Sequence, residues 1–149
     1  MRQILTVQHL ALAILALCVA LGPIPQEALA QENSVSCTQA TLNGVYVFSA
    51  SGFNIVNSTP APKAVVEVLT STGDGNLTSL ATASIDGTIH SGVQDTGIYT
   101  VNPNCSGTLS FHRSGLTFDI YLSPNGSRFH MIQTNPNTVL QGEVRRISH

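Results

Sequence analysis

Turn-forming residues punctuate this chain roughly every eight to twelve positions from Thr72 onward, and that spacing constrains the fold more than any other feature. The signals are Thr72-Gly73-Asp74-Gly75, Asp86-Gly87, Asn102-Pro103-Asn104, Ser114-Gly115, Pro124-Asn125-Gly126 and Asn135-Pro136-Asn137. Asp-Gly and Asn-Gly supply the positive φ angles that tight hairpins require. No long stretch between them carries a helical period, so the intervening pieces read as strands. The expected strands are Gly44 to Ser51, Lys63 to Ser71, Asn76 to Ile85, Thr88 to Val93, Thr96 to Val101, Cys105 to Arg113, Leu116 to Leu122, Ser127 to Gln133 and Thr138 to Ile147. Between the first two, Phe53 to Pro62 breaks the pattern. Pro60 and Pro62 exclude a central strand there, which predicts a loop or an edge over one barrel mouth.

The C-terminal hairpins allow a register to be derived. A two-residue loop at Ser114-Gly115 pairs Phe111 with Phe118, Ser110 with Asp119 and Leu109 with Ile120. A loop at Asn125-Gly126 pairs Leu122 with Phe129, Tyr121 with His130 and Ile120 with Met131. Both hairpins assign one face to Leu109, Phe111, Phe118, Ile120, Leu122, Phe129 and Met131. The opposite face carries Ser110, His112, Thr117, Asp119, Tyr121, Arg128 and His130. The fold expected is all-β: an antiparallel meander of eight or nine strands, closed into an up-and-down barrel so that no long edge is left exposed. A two-sheet sandwich is the alternative.

Residues 1–30 read as a secretory signal peptide, with Arg2, an apolar run from Leu10 to Leu21, and a small-residue site at Ala28-Leu29-Ala30. The run is too short for a membrane-spanning helix, so no transmembrane anchor is expected. The remaining residues, 31–149, suffice for one core and predict a single domain in a secreted or periplasmic protein. Their first part, residues 31–41, is polar and expected to run extended. Loss of Cys18 with the leader leaves Cys37 and Cys105, and in an oxidising compartment these predict one structural disulfide rather than a thiol site.

Arg2 and Glu27 leave together, so the formal net charge stays at −2. Only Arg145 and Arg146 are adjacent cations, which argues against nucleic acid and against electrostatic attachment to a membrane. With 9% of the chain charged, Ser, Thr, Asn and Gly must supply most of the solvated surface.

No nucleophile elbow, phosphate-cradling loop or HExxH motif occurs, and no cofactor is expected. The derived register gathers His112, Asp119, Tyr121 and His130 on one face, where a carboxylate beside imidazoles can serve acid–base chemistry or can simply be wet. His112 and His130 with Asp119 or His90 lack the convergence of a metal site, so no metal is expected. Glu67 stands on an apolar strand with Val65 and Leu69 on its own side, which leaves it either a lumen carboxylate with a raised pKa or an outward residue. Glu67, His112, Asp119 and His130 are therefore the catalytic candidates.

Leu42-Asn43-Gly44-Val45-Tyr46-Val47-Phe48, Gly97-Ile98-Tyr99-Thr100-Val101 continuing through Cys105-Ser106-Gly107-Thr108-Leu109, and Ile132-Gln133-Thr134-Asn135-Pro136 through Gly142 resemble a group of small exported bacterial proteins of uncharacterised function. That resemblance brings no activity with it. More remotely, the length and hairpin order are similar to the allene-oxide-cyclase and dirigent type of eight-stranded barrel, which implies a lumen that binds or shapes apolar molecules.

Three functions follow as expectations. The first is a secreted binding module whose lumen, lined by Phe111, Phe118, Ile120, Leu122, Phe129 and Met131, accepts a small hydrophobic molecule. The second is a cyclase or isomerase using Glu67 or the His112–Asp119–His130 group. The third is an extracellular interaction protein acting through its loops or an open sheet edge, with the stretch from Phe53 to Pro62 as the site.

Overall fold

A computed structural model describes residues 36–149, and the expected leader lies outside the described residues. Eight antiparallel strands follow one another round a closed barrel: β1 (Asn43–Val56), β2 (Thr59–Thr72), β3 (Asn76–Ile85), β4 (Thr88–Val101), β5 (Ser106–Phe111), β6 (Thr117–Leu122), β7 (Arg128–Gln133) and β8 (Thr138–Ser148). Each strand pairs with the next, and β8 returns to β1, so the barrel closes and no strand is left with a single neighbour. The all-β closed meander is thus the observed fold.

Four details refine or correct the expectations. The two segments either side of Gln94 and Asp95 form the single strand β4, in which Gln94 and Asp95 pair regularly with Leu80 and Ser79, and the irregularity is a bulge a little earlier. Ala81 opposes Val93 while Ala83 opposes His90, so Ser91 and Gly92 face Thr82 alone, and Gly92 takes the positive φ of 66° that such a bulge favours. The Phe53–Pro62 segment is an edge and not a loop, since Thr59–Pro62 pairs with β1 and has no partner on β3. It extends β1 and β2 into a long hairpin turning at Asn57 and Ser58, both at positive φ, with Pro62 opposite Phe53 and Pro60 opposite Ile55. Residues 39–41 wind into one 3₁₀ turn instead of running extended.

The fourth is in the β5–β6 register. Ser110 opposes Thr117 and Leu109 opposes Phe118, two residues away from the derived pairing, so the faces are preserved while the partners change. The cause is a longer loop, closed by Phe111 N–H donating to the Leu116 carbonyl at 2.9 Å. Its Arg113 and Ser114 N–H groups donate to the Asp95 carboxylate at 2.9 Å each, an alternative to the tight two-residue closure. The β6–β7 register is as derived: Leu122 with Phe129, Tyr121 with His130, Ile120 with Met131.

Alternation sends one face of every strand into the barrel. At one end the interior is filled. Tyr46, Leu69, Leu77, Tyr99, Leu109, Ile120, Leu122, Phe129 and Met131 are buried there, with Tyr46 edge-on to Phe129 at a centroid distance of 5.7 Å. The chain entering at Cys37 crosses this end and drops Leu42 into it. Ser71 Oγ donates to the Leu42 carbonyl at 2.8 Å, and Tyr99 Oη lies 3.1 Å from the carbonyl oxygens of Gln39 and Leu42, so the plug's polar backbone is satisfied as it is buried. Arg146 fastens the last strand to the plug, donating to the Thr41 carbonyl at 3.2 Å and to Tyr46 Oη at 3.0 Å. Cys37 and Cys105 are joined as a disulfide, with Cα atoms 5.0 Å apart. Among the described residues no helix is long and apolar enough to cross a membrane.

Candidate functional site

The other end of the barrel is hollow. A cavity of about 580 Å³ opens between the Asn57–Ser58, Asp86–Gly87, β5–β6 and β7–β8 turns. The reason lies in side-chain size. Where the closed end presents Leu, Tyr and Phe, the inward positions of β3 here are Ser79, Ala81 and Ala83, which cannot meet the opposite wall. Phe48, Val65, Phe111, Phe118 and Leu140 make the rest of the apolar wall, Phe118 standing edge-on to both Phe48 and Phe111 with centroids 6.3 and 6.1 Å away. The β4 bulge shifts the alternation, so that His90 and Val93, three positions apart, both border the same space.

Five polar side chains are buried in this wall: Lys63, Glu67, Ser79, Asp95 and Gln133. Lys63 and Glu67 come from one face of β2, with Val65 between them. Lys63 reaches across the mouth and donates from Nζ to Gln133 Oε1 on β7 at 3.0 Å. Gly52, opposite Lys63 on β1, carries no side chain to stand in the way. Gln133 is itself held by Asn135, whose Oδ1 accepts from Gln133 Nε2 at 3.0 Å. Burial without an anionic partner pushes the Lys63 ammonium below the ordinary lysine range.

The two carboxyls are driven in opposite directions. Burial raises the Glu67 carboxyl above the usual carboxylate range, opposed by a hydrogen bond from Ser79 and reinforced by the charge of Asp95. For Asp95 burial pulls upward as well, but the N–H donors of Arg113, Ser114 and Thr96 outweigh it and hold the group below its ordinary value. The lumen therefore holds one carboxyl inclined to keep its proton and one inclined to stay ionised, an arrangement suited to proton donation from Glu67.

The sequence candidates divide between inside and outside. Glu67 lines the cavity, as do Phe111 and Phe118. Ile120, Leu122, Phe129 and Met131 are buried below the cavity in the filled half. His112 lies in the β5–β6 loop, exposed, with Nδ1 3.4 Å from Thr96 Oγ1. Asp119 and His130 stand on the outer faces of β6 and β7, His130 opposite Tyr121 on one side and Glu143 on the other. None of the three borders the cavity. Among the described residues no cluster of three His, Cys, Asp or Glu side chains converges as a metal site.

Sequence reasoning passed over Lys63, Asp95, Ser79 and Gln133. For Lys63 a signal was present: it shares parity with Val65, Glu67 and Leu69 on one strand, and it is the one lysine in the chain. Asp95 gave none, because an acidic residue at an apparent strand break reads as turn material. No protein-family model, curated protein or solved structure matches this chain.

Proposed function

We propose that this is an exported barrel that binds a small, mainly apolar molecule in the open half of its lumen. The observation that carries the reading is the cavity itself: about 580 Å³, open at one mouth, its wall more apolar than polar in surface with polar side chains set among Phe, Val, Leu, Ile and Ala. Sites for small organic ligands are usually concave, largely apolar and of this order of size. An eight-stranded barrel either fills with its own side chains or holds one small ligand, and this one divides the two along its axis. The Cys37–Cys105 disulfide fits an oxidising compartment, in keeping with export directed by residues 1–30.

The test uses N-phenyl-1-naphthylamine, a small apolar fluorophore, with the purified oxidised protein. Wild type is expected to bind one equivalent with enhanced, blue-shifted emission. The double variant Ala81→Phe/Ala83→Phe fills the lumen and is expected to abolish the signal, while Val66→Ser on the outer wall leaves it unchanged. Absence of enhancement with wild type, or full retention in the filled variant, overturns the reading.

A cyclase or isomerase is the second reading, and one observation favours it: Glu67 borders the cavity, where burial raises its carboxyl above the usual carboxylate range. On that reading Glu67→Gln preserves fluorophore binding and removes turnover. For the interaction-protein reading, the segment it would use is the β1–β2 hairpin end, where Phe53 and Val56 are exposed.

A further inference from the structure

Lys63 is the sole lysine among 149 residues, the other side-chain cations of the set being five arginines. A protein that needed lysine for solubility would carry it outside. Here it is inside, 8% exposed, on the wall of the open cavity. Its ammonium finds a neutral amide oxygen, Gln133 Oε1, and among the described residues no carboxylate pairs with it; the ion pair there is Arg145 with Glu143 on the outer surface. Val65, Ile85 and Leu140 make its surroundings apolar.

We propose that Lys63 is a covalent capture site: its amine forms a reversible Schiff base with an apolar aldehyde held in the lumen. This deepens the lumen-binding reading and rests on it. In the step, the free amine adds to the carbonyl carbon, making the N–C bond of a carbinolamine. Loss of the former carbonyl oxygen as water, with both amine hydrogens, leaves the imine. No oxidant or reductant is consumed. Water reverses the bond, so the aldehyde is stored and released unchanged.

Each feature of the site serves that chemistry. The amine must be uncharged to attack, and burial beside a neutral acceptor favours the free base. Gln133, braced by Asn135, holds the nitrogen over the mouth instead of letting it swing into solvent. Departure of the carbinolamine hydroxyl needs a proton. Glu67, next but one on the same lumen face of β2, carries a carboxyl that burial inclines to keep one. The other titratable groups bordering the cavity are His90 and Asp95 on β4. The cavity walls contributed by β1, β3, β7 and β8 add none.

The experiment incubates the oxidised protein with nonanal and sodium cyanoborohydride near pH 7 and follows alkylation at Lys63 by peptide mass mapping, against Nα-acetyl-lysine in the same tube. Nonanol, which fits the lumen but has no carbonyl, is titrated separately by calorimetry. Lys63 is expected to react at least about tenfold faster than Nα-acetyl-lysine, because the lumen holds the aldehyde beside an amine whose burial favours the free base. Its rate should level off at a lower pH than the free amino acid's, and nonanol should compete. Lys63→Arg is expected to lose the adduct. A Lys63 rate no greater than that of Nα-acetyl-lysine, with nonanol still bound, overturns covalent capture and leaves the lumen reading standing. If nonanol does not bind either, both fall. Because the decisive rate is read on wild type, a poorly folded variant does not blunt the test.

Discussion

Glu67 and Asp95 are carboxyls bordering one cavity, yet acid and base act on them with opposite sign. Burial lets Glu67 hold its proton to a higher pH in the folded protein than in the unfolded chain. Between those two values the native state binds more protons, so stability falls as pH rises through that window. Glu67→Gln removes the dependence. Its melting temperature is expected to match wild type below the unfolded value, to pull ahead as pH rises through that window and to keep a constant lead above the raised Glu67 value, each kcal/mol of relief appearing as about 4 °C. Asp95 behaves conversely. Its backbone donors keep it ionised below the unfolded value, so its contribution is complete above that value and is lost as pH falls through the depressed one. Asp95→Asn is expected to cost about 1–2 kcal/mol in urea unfolding at pH 7, with the two curves converging in acid. The same residue sets the β5–β6 loop, so amide signals of Arg113 and Ser114 should shift most.

At the scale of the element, strand pairing was legible wherever the turn chemistry is local and fell short wherever a distant group intervened. The β6–β7 register follows from Asn125-Gly126 alone. The β5–β6 register does not follow from Ser114-Gly115, because a carboxylate nineteen positions from Ser114 recruits the loop's N–H groups. Period-2 alternation still placed Leu109, Phe111 and Phe118 inside, since a slip of two leaves each face intact. For the candidate site the same parity argument kept an inward Glu67 open but gave no depth along the barrel axis, so it did not separate Phe111 and Phe118, at the cavity, from Ile120 and Met131, in the filled half. The β1–β2 hairpin offers a test of its turn. Asn57 and Ser58 both adopt positive φ, 48° and 65°, a conformation in which Ser pays a steric penalty that Gly does not. Ser58→Gly should raise stability by roughly 0.5–1 kcal/mol in urea unfolding, with no change in fluorophore binding.

For the whole molecule, closure and the disulfide act at the same end. Cys37 and Cys105 are 68 residues apart in sequence, so the bond closes a long loop in the unfolded chain. Reduction is expected to lower unfolding free energy by about 4 kcal/mol on the chain-entropy account, read as a drop in urea midpoint with a thiol reductant present. Hydrogen exchange should report the same polarity. Amides of Tyr46, Leu109 and Met131, around the filled interior, are expected to exchange last, and those of Ala83, Ile85 and Thr138, around the mouth, first.

The division of the interior along its axis separates two demands that compete in most cores. Most of the packed core lies beneath the cavity, and only Phe48, Phe111, Phe118 and Leu140 belong both to that core and to the cavity wall. Val65, Ala81, Ala83 and Ile85 can therefore be exchanged without disturbing the Tyr46–Phe129 layer or the Leu42 plug. A scaffold built this way is evolvable in a specific sense: its taste for a guest can drift, or be redesigned, while the half that holds it together stays as it is.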